Sequence, residues 1–69
     1  MSTPDFATIR VQAENGLIQA QTYLGYMLDR GKFGAPKDSK QAFQWFKKAA
    51  DKNDGYALAY IGYMYHTII

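Results

Sequence analysis

The chain contains no cysteine, so neither a disulfide bond nor a thiolate metal site can hold it together. This absence fits a reducing compartment. With 69 residues the chain forms one domain at most, and a domain of this size hides only about 60% of its unfolded surface. Small scaffolds without disulfides or metals are usually stabilised by self-association. Aromatic residues make up 16% of the sequence and supply bulk for a core, so the composition is not that of a disordered tail.

Long apolar runs are also missing. No run reaches the roughly 18 residues of a membrane-spanning helix, and the uncharged segment 55–69 is too short and holds several tyrosines. Residues 1–12 lack the apolar core of a signal peptide and carry Asp5. We therefore expect no membrane span and a cytoplasmic location, with delivery into a host cell as the open alternative.

The sequence has no large excess of positive or negative charge. Eight basic and six acidic residues give a formal net charge of +2, whereas nucleic-acid binders more often carry a dense basic patch. We expect no nucleic-acid partner. Lysines do cluster near Trp45, but Asp51 and glutamines interrupt them, which favours a solvated outer helix face over a phosphate-binding patch. The lysines concerned are Lys37, Lys40, Lys47, Lys48 and Lys52.

No constellation of catalytic or metal-binding residues is present. His66 is the only histidine, and no acid lies within the eight residues before it. No two of the six acids have a catalytic spacing on one helical face, and the glycines at 31–34 lack the strand and the Gly-Lys-Ser/Thr ending of a phosphate loop. We expect no catalytic, cofactor or metal site, no bound cofactor and no enzymatic activity.

What the sequence does contain is an internal repeat with a period of 37 residues. Tyr-Leu-Gly-Tyr-Met at 23–27 returns as Tyr-Ile-Gly-Tyr-Met at 60–64. Between 13–27 and 50–64, six of fifteen positions are identical and two more are conservative. Self-similarity at such a period is the mark of a repeat architecture.

Capping signals and apolar spacing predict the first helix. Pro4 suits the first helical position, where its missing N–H has no partner to lose. Either Thr3 caps this helix, or Ser2 and Asp5 form a capping box. Asn-Gly at 15–16 ends it, because these residues adopt the left-handed conformation most readily.

The second helix is predicted over residues 17–30 and ends at Gly31. Gly25 lies inside it, although an interior glycine costs about 1 kcal/mol relative to alanine. Close approach of a neighbouring backbone is the compensation we expect, and Gly62 repeats the choice. One apolar arc is predicted, formed by Leu17, Ala20, Tyr23, Leu24, Met27 and Leu28.

After a glycine-containing loop at 31–37, in which Phe33 or Ala35 is expected to fill the gap between helices, the third helix begins. Asp38 is its predicted N-cap, with Gln41 completing a capping box. Its apolar face comprises Ala42, Phe43, Trp45, Phe46, Ala49 and Ala50. The turn Asn53-Asp54-Gly55 precedes the fourth helix, predicted from 56 to about 67, with Ala57, Tyr60, Ile61 and Met64 on its arc.

The repeated residues resemble the Sel-one-like repeat, a relative of the tetratricopeptide repeat. The pattern runs from Ala-Glu-Asn-Gly at 13–16 through Leu-Gly-Tyr-Met at 24–27 to Trp-Phe-Lys-Lys-Ala-Ala at 45–50. One full copy covers residues 13–49 and a second begins at Ala50. The positions that carry the resemblance are Ala13, Gly16, Ala20, Gln21, Leu24, Gly25, Met27, Gly31, Asp38, Lys40, Ala42, Trp45, Phe46, Lys48, Ala49 and Ala50.

The resemblance implies an all-α fold, an α/α superhelix (solenoid) of antiparallel helix pairs with about four helices. We divide the chain into an N-terminal half-repeat or cap helix (1–15), a full helix pair (16–52) and the start of a second, truncated repeat (53–69). Two copies at most are few, because stacked repeats normally need about three units for stability.

The resemblance also implies function. Proteins built from such repeats act as non-catalytic adaptors and scaffolds in bacterial signalling, host interaction and envelope processes, and in eukaryotic protein quality control. A protein or peptide partner is therefore expected. The alternative is a small regulatory inhibitor or antitoxin-like protein that caps a larger protein partner with its apolar last helix.

Two equivalent tyrosines, Tyr26 and Tyr63, lie outside the main apolar arc and are predicted to bind a partner together with Gln21. Tyrosine offers a large contact area and a polar tip. The alternative for Tyr26 is packing on a neighbouring helix. Further polar residues expected on this surface are Gln19, Thr22 and Asp29.

Segment 56–69 is apolar almost all round, whereas a terminal repeat normally has a polar outer face. An exposed apolar patch of that size marks an interface or a missing neighbour. We predict a homo-oligomer formed through the last helix, and the alternative is a piece of a longer repeat array. The residues predicted at the self-association contact are Ile61, Met64, Tyr65 and Ile68.

Overall fold

A computed structural model describes residues 5–68, with side chains as far as His66. This part of the chain forms four α-helices and no strand, as predicted. The helices are α1 (Phe6–Glu14), α2 (Ile18–Arg30), α3 (Ser39–Ala50) and α4 (Gly55–Ile68).

Asp5 caps α1, which begins at Phe6 and not at Pro4 as the proline had indicated. The Asp5 carboxylate accepts a hydrogen bond from the Thr8 N–H at 2.9 Å and so satisfies one of the amides exposed at the helix start. The predicted roles of Ser2 and Thr3 lie outside the described residues.

At its C-terminal end α2 stops at Gly31, as predicted, because this residue adopts a left-handed conformation with φ of 66°. The Gly31 N–H donates to the Met27 carbonyl at 2.7 Å. In the following loop Ala35 is buried and Phe33 is about half exposed. Ala35 therefore fills the gap between the helices.

The predicted capping box at α3 is present in an altered form. The Gln41 N–H donates to Asp38 Oδ1, while Gln41 Nε2 donates to Asp38 Oδ2 rather than to a backbone group. The Asp38 N–H is available for the Leu28 carbonyl, 2.8 Å away. The cap thus also ties the start of α3 to the end of α2.

Each helix packs on the next one in the chain: α1 on α2, α2 on α3, and α3 on α4. This arrangement of antiparallel helix pairs is an α/α solenoid, in which each unit contacts only its neighbours. The helices fall within segments 1–15, 16–52 and 53–69, whose status as separate repeat units stays a prediction. The buried apolar side chains are Ile9, Ala13, Ala20, Leu24, Met27, Leu28, Ala35, Ala42, Phe46, Ala49, Ala57 and Met64.

Gly25 makes room for a side chain and not, as we expected, for a neighbouring backbone. A Cβ placed at Gly25 would lie 2.6 Å from the Phe46 ring, which is too close for two carbon atoms. The ring is fully buried. Gly62 occupies the equivalent position in α4, and nothing lies within 4 Å of where its Cβ would be.

Alanine substitutions at Gly25 and Gly62 should therefore change stability in opposite directions. Gly25→Ala forces the Phe46 ring to move, and overpacking of this kind costs about 1–3 kcal/mol. Gly62→Ala meets no neighbour and gains up to about 1 kcal/mol of helix propensity. Urea unfolding followed by circular dichroism measures both, and equal effects would show that the ring is not held against Gly25.

Acid should weaken the fold partly through Asp5. The hydrogen bond from the Thr8 N–H holds the pKa of Asp5 below its ordinary value of 3.8. Because the folded state binds this proton less readily than the unfolded state, the Asp5 contribution is complete above 3.8 and is lost as the pH falls through the lowered pKa. Asp5→Asn keeps a good N-cap that does not titrate. On acidification the unfolding free energy of the wild type should therefore fall by more than that of Asp5→Asn. If the two free energies change with pH in parallel, the assignment is contradicted.

Candidate functional site

An open hollow of about 410 Å³ lies between α2 and α4. We call it the tyrosine hollow, because three of its walls are the rings of Tyr23, Tyr26 and Tyr60, with a fourth ring, Tyr56, beside them. Its residues are Gln19, Thr22, Tyr23 and Tyr26 from α2 and Asp54, Tyr56 and Tyr60 from the start of α4.

Contacts between rings fix the aromatic walls. Tyr60 stacks on the buried Phe46 ring, with centroids 4.6 Å apart and planes 9° from parallel. Tyr23 and Tyr26 stack at 6.1 Å, and Tyr26 meets Tyr60 at 6.3 Å. Tyr56 lies at the rim and is 77% exposed. Packing on the core and between the rings thus fixes the positions of the walls, except at the exposed rim.

Asp54 supplies the negative charge of the hollow. Its Oδ2 atom accepts hydrogen bonds from the Ala57 N–H at 2.9 Å and from the Thr22 hydroxyl at 2.8 Å. The first bond caps α4, and the second joins α4 to α2 across the repeat. Within the described residues no Lys or Arg forms an ion pair with this carboxylate. The hollow therefore combines electron-rich ring faces with an uncompensated, positioned carboxylate.

Next to the tyrosine hollow lies a second one of about 340 Å³, the outer hollow. The α4 residues that line it are the equivalents, 37 positions on, of the four α2 residues that line the tyrosine hollow. The repeat thus builds the same half-site twice. The outer hollow is lined by Arg30, Tyr56, Ala59, Tyr60 and Tyr63.

Arg30 separates the two hollows chemically. Its guanidinium carbon lies 5.8 Å from the centroid of the Tyr26 ring, within the range of a cation–π contact. Its Nε atom is 3.6 Å from Asp29. The outer hollow accordingly contains a cation where the tyrosine hollow contains an anion.

A third feature is the side of α4 whose equivalent in α2 is buried, which we call the open face and define by Ile61, Gly62 and Tyr65. The equivalents in α2 are Leu24, Gly25 and Leu28, all buried, with both leucines only 1% exposed. In α4, Ile61 is partly exposed, Gly62 is exposed and Tyr65 is 56% exposed. The first copy of the repeat thus shows how deeply these three positions are buried when a neighbouring helix covers them.

The three residues predicted to bind a partner lie in different places. Tyr26 lines the tyrosine hollow and Tyr63 the outer one. Gln21 is buried instead, and its Nε2 donates to the Ala13 carbonyl at 3.2 Å, so its side chain lines neither hollow. Gln19 and Thr22 do line the tyrosine hollow, as the sequence suggested. A role of these residues in partner binding stays a prediction.

Of the four residues predicted at the self-association contact, Tyr65 is the most exposed, although its ring also meets the edge of Phe43 at 5.6 Å. Ile61 is partly buried and Met64 is buried in the chain's own core. The Ile68 side chain lies outside the described residues. The self-association role of these residues stays a prediction.

Sequence reasoning missed the role of Asp54, which it placed only in the turn before the fourth helix. The pattern did contain a signal, because Asp54 stands where the first copy has Leu17. A charged residue in one copy at a position that is apolar in the other copy indicates that this position has different roles in the two copies.

Other polar groups of the described residues lie away from the two hollows. Lys48 lies over the Trp45 ring, 5.1 Å from its centroid, as part of the exposed lysine face of α3. No cluster of three His, Cys, Asp or Glu residues that could hold a metal occurs in the described part of the chain. No helix within residues 5–68 is both long enough and apolar enough to span a membrane.

Comparison with known proteins identifies the class of this fold. The family model described as the Sel1 repeat matches residues 18–54, more than half of the chain. The chain therefore belongs to the Sel1 repeat family, an all-α helical repeat that generally mediates protein–protein interaction and is non-catalytic. No curated protein and no solved structure matches the chain.

Loss of the Thr22 hydroxyl should loosen α4 without disturbing α2 and α3. Thr22→Val keeps the shape of the side chain and removes the hydrogen bond to Asp54, at a cost of about 1–2 kcal/mol. Amide hydrogen exchange should then speed up in α4, while Thr22→Ser, which keeps the hydroxyl, should behave nearly as wild type. Uniform acceleration over all helices would contradict a local link.

Proposed function

We propose that the chain is a non-catalytic protein-interaction module, an adaptor, that self-associates through the open face of α4. The observation that carries this proposal is the difference between the two equivalent glycines. Gly25 receives the Phe46 ring, whereas at Gly62 no described neighbour lies within 4 Å of a Cβ. A glycine in a helix interior costs about 1 kcal/mol, and among the described residues no contact at Gly62 offsets that cost.

A second copy of the chain suits the open face on grounds of charge and shape. Segment 55–66 contains no Asp, Glu, Lys or Arg, so two copies of α4 meet without repulsion between like charges. Leu58, one helical turn before Ile61 and Gly62, is 53% exposed and adds apolar area next to the face. In a two-fold contact the same patch is used by both subunits, and Gly62 lets the two helices approach closely.

The alternative, an inhibitor or antitoxin-like protein that caps a larger partner, would use the same face for a helix of a different protein. The two functions differ in what the purified chain does alone. Self-association gives a mass that rises with concentration above that of the 7.8 kDa monomer, whereas a capping protein stays monomeric until it meets its partner.

Gly62→Glu should dissociate the assembly and leave the monomer folded. A Cβ at this position has no described neighbour within 4 Å and glutamate is a better helix former than glycine, but it puts a charge at the centre of the contact. We expect light scattering on a sizing column to show a multimer for the wild type and a folded monomer for the variant.

Gly55→Glu provides the matched control. Gly55 also has no atom within 4 Å of a Cβ, and it lies at the start of α4, where an acid is favourable. This variant should keep the wild-type mass. A wild-type chain that is monomeric over the whole concentration range would refute self-association and favour the capping function.

A further inference from the structure

We propose that the tyrosine hollow is a binding subsite for the side chain of an arginine in an extended segment of a partner protein. The site is separate from the open face of α4, so the proposal does not depend on self-association. It rests on the charge of the hollow, the nature of its walls and the acceptors they present.

Charge favours a cationic occupant. The Asp54 carboxylate is half-buried among aromatic rings and is not neutralised by an ion pair within the described residues. No lysine lines the hollow, although the chain as a whole carries a formal net charge of +2. The faces of tyrosine rings carry partial negative charge and attract cations. The Asp54 carboxylate and the tyrosine rings therefore both favour a cation in the hollow.

Geometry favours arginine over lysine. The planar guanidinium stacks on aromatic faces and presents five donors, whereas an ammonium is a compact point charge. On the side of the outer hollow, the chain's own Arg30 places its guanidinium over the Tyr26 ring at 5.8 Å, so a guanidinium packs on one of these rings within the chain itself. Acceptors around the hollow include the Asp54 carboxylate, whose hydrogen bonds within the chain are both made by Oδ2.

The occupant reaches the hollow as part of an extended chain. The hollow is open and shares two of its lining residues, Tyr56 and Tyr60, with the outer hollow. An extended segment laid across these two rings would pass both hollows. Only one of them binds arginine, because the outer hollow lacks a carboxylate and contains Arg30.

The test uses the full chain and the peptide acetyl-Gly-Gly-Arg-Gly-Gly-amide, followed by nuclear magnetic resonance titration. We expect the largest shifts at Thr22, Tyr23 and Tyr60. The same peptide with citrulline, which has nearly the same shape but no charge, should bind at least about tenfold more weakly, a loss of about 1.4 kcal/mol. Equal binding of the two peptides would overturn the proposal.

Asp54→Asn is the decisive variant. Asparagine is as good an N-cap as aspartate and can still accept from the Thr22 hydroxyl, so α4 should remain folded by circular dichroism. Binding of the arginine peptide should fall by about tenfold or more, to the level of the citrulline peptide. Retention of arginine binding would overturn the proposal.

Asp51→Asn gives the same change in net charge at an exposed position that does not line the hollow. It should bind the arginine peptide as the wild type does. An equal loss in both variants would show that only the overall charge matters and would overturn the assignment of the site. Titration with tetramethylammonium separates a peptide site from a site for small organic cations, and binding of this ion as tight as that of the peptide would also refute the proposal.

Discussion

The Phe46 ring, held between Gly25 of α2 and the ring of Tyr60 in α4, is the contact on which the rest of the structure depends. One side chain of α3 thereby fixes its distance from the preceding helix and the position of the following one. The missing Cβ at Gly25 lets the ring approach, and the ring is fully shielded from water. Stacking over flat surfaces fixes orientation as well as distance, so the aromatic pair also determines which way Tyr60 faces.

From that contact the tyrosine hollow follows in two steps. Tyr60, placed by Phe46, forms one wall of the tyrosine hollow, and the stacked Tyr23 and Tyr26 form another. The hydrogen bond from the Thr22 hydroxyl to Asp54 then joins the two helices at this hollow and holds the carboxylate in place. Asp54 also caps α4, the helix that carries Tyr60. The same residue therefore stabilises the fold and supplies the charge of the tyrosine hollow. A chain of this size positions a site by using residues that already hold its fold.

The fold was predictable from the sequence because periodicity and capping are local properties. The 37-residue shift, the glycine at position 31 and the Asp38–Gln41 pair identify helices and their ends without knowledge of tertiary contacts. The site was predictable only in part. Tyr26, Gln19 and Thr22 stood out on the polar side of α2, but the burial of Gln21 depends on the Ala13 carbonyl of another helix. The role of Asp54 likewise depends on a partner 32 residues away, and no local pattern encodes such a distance.

The packing of each helix mainly on the next one in the chain has a consequence for how the molecule unfolds. Among the described helices, α2 and α3 each pack on a helix at both sides, whereas α1 packs mainly on α2, and α4 packs mainly on α3 with a smaller contact to α2. Opening should therefore proceed inward from the two ends, with the α2–α3 pair as the last structured unit. A partner that covers α4 removes one of these free ends. Such a partner would slow unfolding from the α4 side. The unfolding rate of the chain would therefore depend on whether a partner covers this helix.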